Sequence, residues 1–288
     1  MLKLAIVVPF LNQTEITKQT LKFLVENKTN PDTKILAFDN DSDEEIELPD
    51  GVDYYRSEVN IGNYPVFSEA LEFVKEYPVI AFFHSDLFVY EKGYDDRILQ
   101  TFHDNQNLGL AGFVGSDEID VAGGRGGGTM SNFMGYGTVI TRLDGTLKEW
   151  KGSPAEAHGK RETGFKNAAV VDGCSMIFRK KALEDIGFNP NFPLHHFYDR
   201  YMSCQMLEKQ WKVGVLGIAF DHISGQTANQ EQRYHDAAKD WCDAHGVQPP
   251  VIHQNNYDMS MYLEGERIFL REYRNEKRLI PIKVAQNN

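Results

Sequence analysis

Short, uninterrupted apolar runs alternate with segments of helical period through the first half of the chain. Leu4 to Val8, Lys34 to Phe38 and Val79 to Phe83 have the length of strands and lack the alternation of half-exposed ones. Such runs are typical of parallel strands whose two faces are both covered by helices. The pattern therefore predicts an α/β fold with a mostly parallel central sheet flanked by helices.

The same patterns predict the remaining elements. Asn12 and Glu15 have the spacing of a capping box, which would open a first helix with its apolar side toward the sheet. The other predicted helices span residues 63–75, 95–103, 181–186, 197–209, 231–245 and 259–276. The other predicted strands span residues 54–55, 110–114, 168–178 and 212–220.

The composition changes between residues 116 and 166, where glycines are frequent and apolar runs are few. Long loops inside compact domains are usually functional or mobile. We expect one α/β domain at residues 1–227 that includes this loop region, followed by a helical C-terminal extension at residues 228–288. The segment Gly123 to Gly128 lacks the spacing of known phosphate-binding motifs. It is either a lid that orders on ligand binding, with Arg125 touching a diphosphate, or a disordered loop.

Charge and cysteine content exclude several classes of protein. The formal net charge of −12 disfavours a nucleic-acid binder and requires local cations wherever a phosphate-bearing substrate binds. The three cysteines are far apart and odd in number, which predicts a reducing, cytoplasmic setting. No apolar run is long enough to span a membrane. We expect the apolar N-terminus to be a buried strand and not a signal peptide.

Polar clusters follow two of the predicted strands, at the sheet edge where ligands of open α/β folds bind. The first cluster, Asp39 to Asp43, either contacts a nucleobase or ribose or is an acidic surface turn. The second cluster, His84-Ser85-Asp86, places an imidazole and a carboxylate on one side of the chain. These two groups either hold a divalent metal ion or belong to a solvated strand end.

Two more polar groups occur later in the chain. His222 follows the apolar run 212–220 and offers a second imidazole to the same ion, although a single histidine is more often structural. Asp199 lies at the start of the predicted helix 197–209, where the free amide groups favour an ionised carboxylate. That carboxylate is either a general base or a helix cap.

In their order and spacing, these segments resemble the GT-A fold glycosyltransferases of family 2. The matching segments are Pro9-Phe10-Leu11-Asn12, Asp39-Asn40-Asp41-Ser42-Asp43, Asn60-Ile61-Gly62, His84-Ser85-Asp86, Val171-Asp172-Gly173-Cys174-Ser175-Met176, Tyr198-Asp199 and His222. The resemblance covers residues 3–227. It implies a Rossmann-like GT-A sheet. It also implies inverting transfer of a sugar from a nucleoside diphosphate sugar to a hydroxyl of a glycan or glycoconjugate.

The resemblance further implies roles for individual residues. Asp199 would be the catalytic base, and Asp86, His222 and His84 would hold the metal ion. The donor nucleotide would contact Pro9, Phe10, Asn12, Asp39, Asn60, Gly62, His84, Ser85 and Arg125. The acceptor side would include Trp150, Asp172, Gly173, His195 and His196.

The chain departs from the family pattern at two positions, where His84 replaces an aspartate and Tyr198 replaces a glutamate. An imidazole in place of a carboxylate favours Mn²⁺ over Mg²⁺. His84 either binds the metal ion or touches the ribose. Uracil is the expected base, with thymine and guanine left open.

Two other functions remain as alternatives. A nucleotidyltransferase that makes nucleotide sugars is disfavoured because no glycine-rich basic loop follows the first strand. The other alternative is a domain that binds carbohydrate or nucleotide without catalysis.

Overall fold

The computed structural model describes residues 2–119, 135–139, 160–161, 163–223, 231–249, 255–273 and 282–283. From one edge to the other, the eight strands of the central sheet are β11 (Phe165–Ala168), β14 (Lys212–Leu216), β6 (Leu108–Gly112), β13 (Ser175–Arg179), β4 (Val79–Phe83), β1 (Leu4–Phe10), β2 (Lys34–Asp39) and β3 (Asp53–Arg56). Strands β4, β1, β2 and β3 are parallel to one another, and β14 is parallel to β6. Strand β13 runs antiparallel between β6 and β4, and β11 runs antiparallel to β14. The predicted α/β fold class is therefore confirmed.

Other described strands form a second sheet. Its strands, in order, are β12 (Val170–Val171), β7 (Gly115–Ser116), β9 (Gly135–Val139), β15 (Ala219–His222) and β5 (Leu87–Val89). Strand β10 (Lys160–Arg161) pairs with β9, and β8 (Glu118–Ile119) pairs with β16 (Ile282–Lys283). The described pieces of the region 116–166 are thus short strands.

Helices cover both faces of the central sheet. They are α1 (Thr14–Asn27), α2 (Asn63–Glu69), α3 (Leu71–Val74), α4 (Tyr94–Asp104), α5 (Lys180–Ile186), α6 (Tyr198–Glu208), α7 (Gln232–His245) and α8 (Tyr257–Tyr273). Strand β1 shows this arrangement directly, because its successive side chains enter opposite cores. Ala5 and Val7 belong to one buried cluster, whereas Leu4, Ile6 and Val8 belong to the other. This explains why the strand reads as a continuous apolar run.

The predicted capping box at Asn12 is wrong. Helix α1 begins after Gln13, which has a φ of 53° and makes no side-chain capping bond. The Asn12 carboxamide oxygen instead accepts the Asp43 N–H at 2.7 Å, and its amide nitrogen donates to Glu231 at 2.7 Å. Long-range partners have therefore replaced the local capping bond.

Three elements predicted as continuous are broken. The predicted strand 168–178 is divided between β11, β12 and β13, with a turn at Asp172 whose carboxylate accepts the Cys174 N–H at 2.9 Å. The predicted strand 212–220 is divided into β14 and β15, which join different sheets. The predicted helix 63–75 is interrupted at Ala70. An apolar run does not show by itself where the chain turns from one sheet into another.

The C-terminal helices pack against the rest of the chain. Ile268, Phe269 and Tyr273 of α8 belong to the same buried cluster as Val7 and Phe67. The division into residues 1–227 and 228–288 remains a prediction. None of the helices in the described part of the chain has both the length and the apolar character needed to cross a bilayer.

The buried Asp95 in the first turn of α4 generates a prediction about stability. Its carboxylate accepts the N–H groups of Thr29 and Asn30 at 3.0 Å and the Thr33 hydroxyl at 2.9 Å. The Asp95→Ala variant leaves these donors without an acceptor, so we expect the free energy of unfolding to fall by about 3 kcal/mol. Urea denaturation measures this loss.

Asp96→Ala is the matched control. Asp96 is exposed, and among the described residues its carboxylate accepts hydrogen bonds from the side chains of Thr29 and Asn30. We expect it to cost about 1 kcal/mol or less. Equal losses for the two variants would contradict the assignment of Asp95 as the buried anchor.

Candidate functional site

The carboxyl ends of β1, β2 and β4 lie along one edge of the central sheet. Phe10 at the end of β1 pairs with Asp39 at the end of β2, and His84 directly follows β4. The second sheet adds two strands here, because His222 in β15 pairs with Leu87 in β5. Asp86 precedes Leu87, so this strand pairing brings His222 beside Asp86.

Three side chains converge at this edge in a geometry suited to a metal ion. One ligand atom from each of His84, Asp86 and His222 lies within 4.8 Å of the others. His222 Nε2 is 3.2 Å from Asp86 Oδ1 and 3.4 Å from His84 Nδ1. Two imidazoles and one carboxylate form a donor set that suits a first-row transition ion. The residues present therefore fit the divalent metal that the sequence predicts.

The environment of the cluster sets the protonation of two of these groups. Burial, and then the charge of the neighbouring His222, lower the pKa of His84 to about 4 against the opposing charges of Asp86 and Asp199. Burial raises the pKa of Asp86, but the charge and hydrogen bond of His222, together with His84, outweigh burial and hold it at about 2. At neutral pH, His84 is thus neutral and Asp86 is ionised. These are the forms that bind metal ions.

A tyrosine and an asparagine support His84 from the side opposite His222. The Tyr198 hydroxyl lies 3.1 Å from His84 Nε2 and accepts the Asn63 amide at 2.7 Å. Gly173 permits this arrangement, because a β-carbon at that position would lie 2.5 Å from the Tyr198 hydroxyl. The close approach explains the glycine in the Val171 to Met176 segment.

Asp199 follows Tyr198 in the first turn of α6. Asp199 is 9% exposed, and its Oδ1 accepts the Arg200 N–H at 2.8 Å. Burial and His222 lower the pKa of His84, and the negative charge of Asp199 opposes this lowering. Asp199 thus directly follows, in the chain, the tyrosine whose hydroxyl contacts His84.

Asp39, predicted to contact the nucleobase, is completely buried. Its carboxylate accepts the Ser42 N–H at 2.7 Å and the Tyr54 hydroxyl at 2.6 Å, and Arg56 lies 3.6 Å away. Burial and the bond to Asp39 raise the pKa of Tyr54 to about 12. The carboxylate fixes the turn that follows β2.

The predicted nucleotide segments around Asn60 and Gly62 are joined by Asn40, which the sequence reasoning did not single out. Asn40 Nδ2 donates to Asn60 Oδ1 at 2.9 Å, and Asn40 Oδ1 accepts the Ile61 N–H at 2.9 Å. Gly62 has a φ of 78°, and a β-carbon there would lie 2.4 Å from Leu194 Cβ. Only glycine satisfies both constraints.

The remaining predicted nucleotide contacts have different surroundings. Pro9 is partly exposed, but Phe10 is 3% exposed and belongs to the buried cluster under α1. Ser85 is partly exposed, and its carbonyl oxygen accepts the Thr20 hydroxyl at 2.6 Å. Arg125 and Trp150 lie outside the described residues.

The predicted acceptor residues fall into two places. Asp172 and Gly173 lie in the turn beside Tyr198, whereas His195 and His196 precede α6. His195 is buried, and in the described part of the chain its Nε2 has no hydrogen-bond partner.

Sequence reasoning missed the side chains that the C-terminal helices bring to this edge. Glu231 accepts the amides of Asn12 and Gln13, and Arg233 forms ion pairs with Asp41 and Asp43 at 3.1 and 3.3 Å. Two further ones, Tyr234 and Asp258, contact His196. No local pattern identifies such residues, because their partners lie far away in the sequence.

Comparison with known proteins identifies the relatives of this chain. A family model described as "Glycosyltransferase like family" matches residues 67–273, which is well over half of the chain. The structure of GalNAc-T7 with UDP, GalNAc and Mn²⁺ is similar with a TM-score of 0.55 and 12% identity, over 86% of this chain and 48% of that one. This chain thus spans about half the length of GalNAc-T7. Curated proteins give no match.

A second solved structure has a similar fold. The mannosyltransferase PcManGT from Pyrobaculum calidifontis, in complex with GDP-Man and Mn²⁺, has a TM-score of 0.50 and 10% identity, over 93% of this chain and 74% of that one. At such identities the two likenesses establish the fold alone. They confirm the GT-A-like arrangement expected from the sequence.

The buried His195 generates a prediction about pH. Burial, followed by the charge of His196, lowers the pKa of His195 to about 3, well below the usual value of about 6.5. Between these values the unfolded chain binds more protons than the folded one, so stability falls as the pH falls. His195 should contribute about 2 kcal/mol to the loss between about pH 7 and about pH 5.

The His195→Phe variant tests this, because it keeps a ring against Tyr234 but binds no proton. Urea unfolding at both pH values should show that the variant loses about 2 kcal/mol less than the wild type. An identical loss in both proteins would mean that His195 is not buried in its neutral form.

Proposed function

The chain belongs to the glycosyltransferase-like family, and from that premise we propose that it is a metal-dependent, inverting glycosyltransferase. Its donor is a nucleoside diphosphate sugar, with UDP as the favoured nucleotide. Its acceptor is a hydroxyl group of a glycan or glycoconjugate. The observation that carries this proposal is the convergence of His84, Asp86 and His222, with the Tyr198 hydroxyl in contact with His84 and Asp199 next to Tyr198 in the chain.

The proposed metal centre consists of Asp86, His222 and His84, and Mn²⁺ is the favoured ion. When bound there, the cation neutralises the charge that develops on the leaving diphosphate. The low pKa of Asp86 and the neutral His84 support this assignment, since neither group must lose a proton at neutral pH. Tyr198 and Asn63 hold the His84 ring through hydrogen-bond contacts.

Asp199 is the proposed catalytic base. It takes the proton of the acceptor hydroxyl while the hydroxyl oxygen forms a bond to the anomeric carbon of the donor sugar. The bond from that carbon to the diphosphate breaks, and its electron pair leaves with the nucleotide. Attack from the face opposite the leaving group inverts the anomeric configuration. Asp199 lies in the first turn of α6, where its Oδ1 accepts the Arg200 N–H at 2.8 Å.

The nucleoside is proposed to bind beside Asn12, Asn60 and Gly62, at the ends of β1 and β2. Asp39 contributes by fixing the turn after β2, because both of its oxygens are engaged within the protein. The acceptor is proposed to approach on the side of Asp172, Gly173 and the His195-His196 pair. Gly173 lies against Tyr198 and the His195-His196 pair directly precedes α6, so both adjoin the start of the helix that carries Asp199.

Ligand-dependent melting tests the metal centre. UDP, GDP and dTDP are compared with and without Mn²⁺, and we expect UDP to raise the melting temperature most, and only when Mn²⁺ is present.

The Asp86→Asn variant removes a ligand charge, so its Mn²⁺ affinity should fall by at least about tenfold. Titration calorimetry measures this affinity.

The control is Asp104→Asn, which removes the carboxylate from an exposed Asp–His pair with a 3.0 Å contact to His103. Its Mn²⁺ affinity should equal that of the wild type. Equal Mn²⁺ binding by Asp86→Asn and Asp104→Asn would place the metal ion elsewhere.

The Asp199→Asn variant tests the base. A positioned general base contributes about 100-fold or more, so Mn²⁺-dependent turnover of the donor should fall by at least about that factor. Release of nucleotide from UDP-glucose, UDP-GalNAc and GDP-mannose provides the assay. Mn²⁺ binding by the variant should stay at the wild-type level. Retained turnover would rule out Asp199 as the base.

A further inference from the structure

The backbone directly before Asp199 adopts an unfavourable conformation. His196 and Phe197 have φ values of 66° and 56°, in the left-handed region that residues with a β-carbon seldom occupy. This conformation lets the Tyr198 N–H donate to the His196 carbonyl at 2.7 Å and starts α6 at Tyr198. Two such residues in succession persist only where their surroundings hold them in place.

The C-terminal helices supply the polar contacts that hold His196. Its Nε2 lies 2.7 Å from Asp258 Oδ1 at the start of α8. The same oxygen accepts the Tyr234 hydroxyl of α7 at 2.7 Å. Burial raises the pKa of Asp258, but the bond to His196 and further contacts outweigh burial and lower it to about 2. The neighbouring His195 ring stacks on Tyr234 with 4.1 Å between ring centroids.

Aromatic packing holds Phe197 from the same side. Its ring lies 5.0 Å from the Tyr262 ring and 5.9 Å from the Phe269 ring, measured between centroids. Gly265 allows this contact, because a β-carbon there would already lie 3.2 Å from Phe197 Cβ. Each residue of the 195–197 segment therefore contacts α7 or α8.

We propose that Asp258 and Tyr234 are positioning residues for the transfer reaction. They hold the His196-Phe197 backbone in its left-handed form, which starts α6 at Tyr198 and aims Asp199 at the acceptor hydroxyl. The inference rests on the proposed function and extends it to the C-terminal helices. The competing explanation is that these contacts only dock α7 and α8 onto the chain.

Kinetics of the Asp258→Ala variant distinguish the two explanations. With a donor that the wild type turns over, assayed well below the melting temperature, we expect kcat to fall by about tenfold or more. KM for the donor and the Mn²⁺ affinity should stay within about twofold, because the metal centre is not touched. A role in docking alone would lower the melting temperature and leave kcat unchanged.

Asp243→Ala is the matched control, since it removes a carboxylate of α7 that pairs with the exposed Lys239. Its kcat should equal that of the wild type. If Asp258→Ala and Asp243→Ala have the same kcat, the positioning role is overturned.

A pair of variants at His196 tests the backbone argument directly. His196→Ala loses the bond to Asp258 and keeps a β-carbon, whereas His196→Gly loses the bond but adopts positive φ without that steric cost. The glycine variant should therefore retain a kcat at least about fivefold higher than the alanine variant. Equal values, or a lower value for glycine, would contradict the proposal.

Hydrogen exchange supplies a readout that does not depend on turnover. In Asp258→Ala, the amides of Tyr198 and Tyr201, which donate to the His196 and Phe197 carbonyls, should exchange faster than in the wild type. Exchange in residues 80–89 should not change. Faster exchange confined to α7 and α8 would show docking alone and overturn the positioning role.

The two proposals can fail separately. If the wild type turns over none of UDP-glucose, UDP-GalNAc and GDP-mannose, the proposed function fails, whereas the exchange result still tests whether Asp258 holds the segment before α6.

Discussion

The pairing of β15 with β5 is the contact on which the candidate metal centre depends. It places His222 opposite Leu87, and thereby beside Asp86, although 136 positions of sequence separate the two ligands. His84 reaches the same point from the end of β4, where its carbonyl accepts the Leu87 N–H at 3.2 Å. A shift of β15 by one residue would turn His222 to the other face of the sheet and disperse the cluster.

Charge explains why such a cluster matters in this chain. The net charge of −12 would disfavour the approach of the diphosphate that the proposed donor carries. A divalent ion held by a single carboxylate and two imidazoles leaves a positive centre, because only Asp86 among the three carries a negative charge at neutral pH. Such a positive centre would attract the diphosphate of the proposed donor despite the net negative charge of the chain.

The sequence predicts the sheet well because continuous apolar runs and the polar residues that end them are local signals. Those signals, together with the resemblance to the GT-A glycosyltransferases of family 2, predict His84, Asp86 and His222 as one group. The capping box at Asn12 failed because Asp43 and Glu231 offer its side chain better partners from distant positions. The grip of Asp258 on His196 could not be predicted for the same reason. Turns inside apolar runs, as at Asp172, also leave little local trace.

X-ray diffraction from crystals grown with Mn²⁺ and UDP, recorded at the manganese absorption edge, tests the central claim most directly. The anomalous signal locates the ion without any assumption about activity. We expect a single strong peak within coordination distance of the Asp86 carboxylate and the His222 imidazole, with the diphosphate of UDP on the open side of the ion. A peak at another position, or UDP bound away from this cluster, would contradict the account.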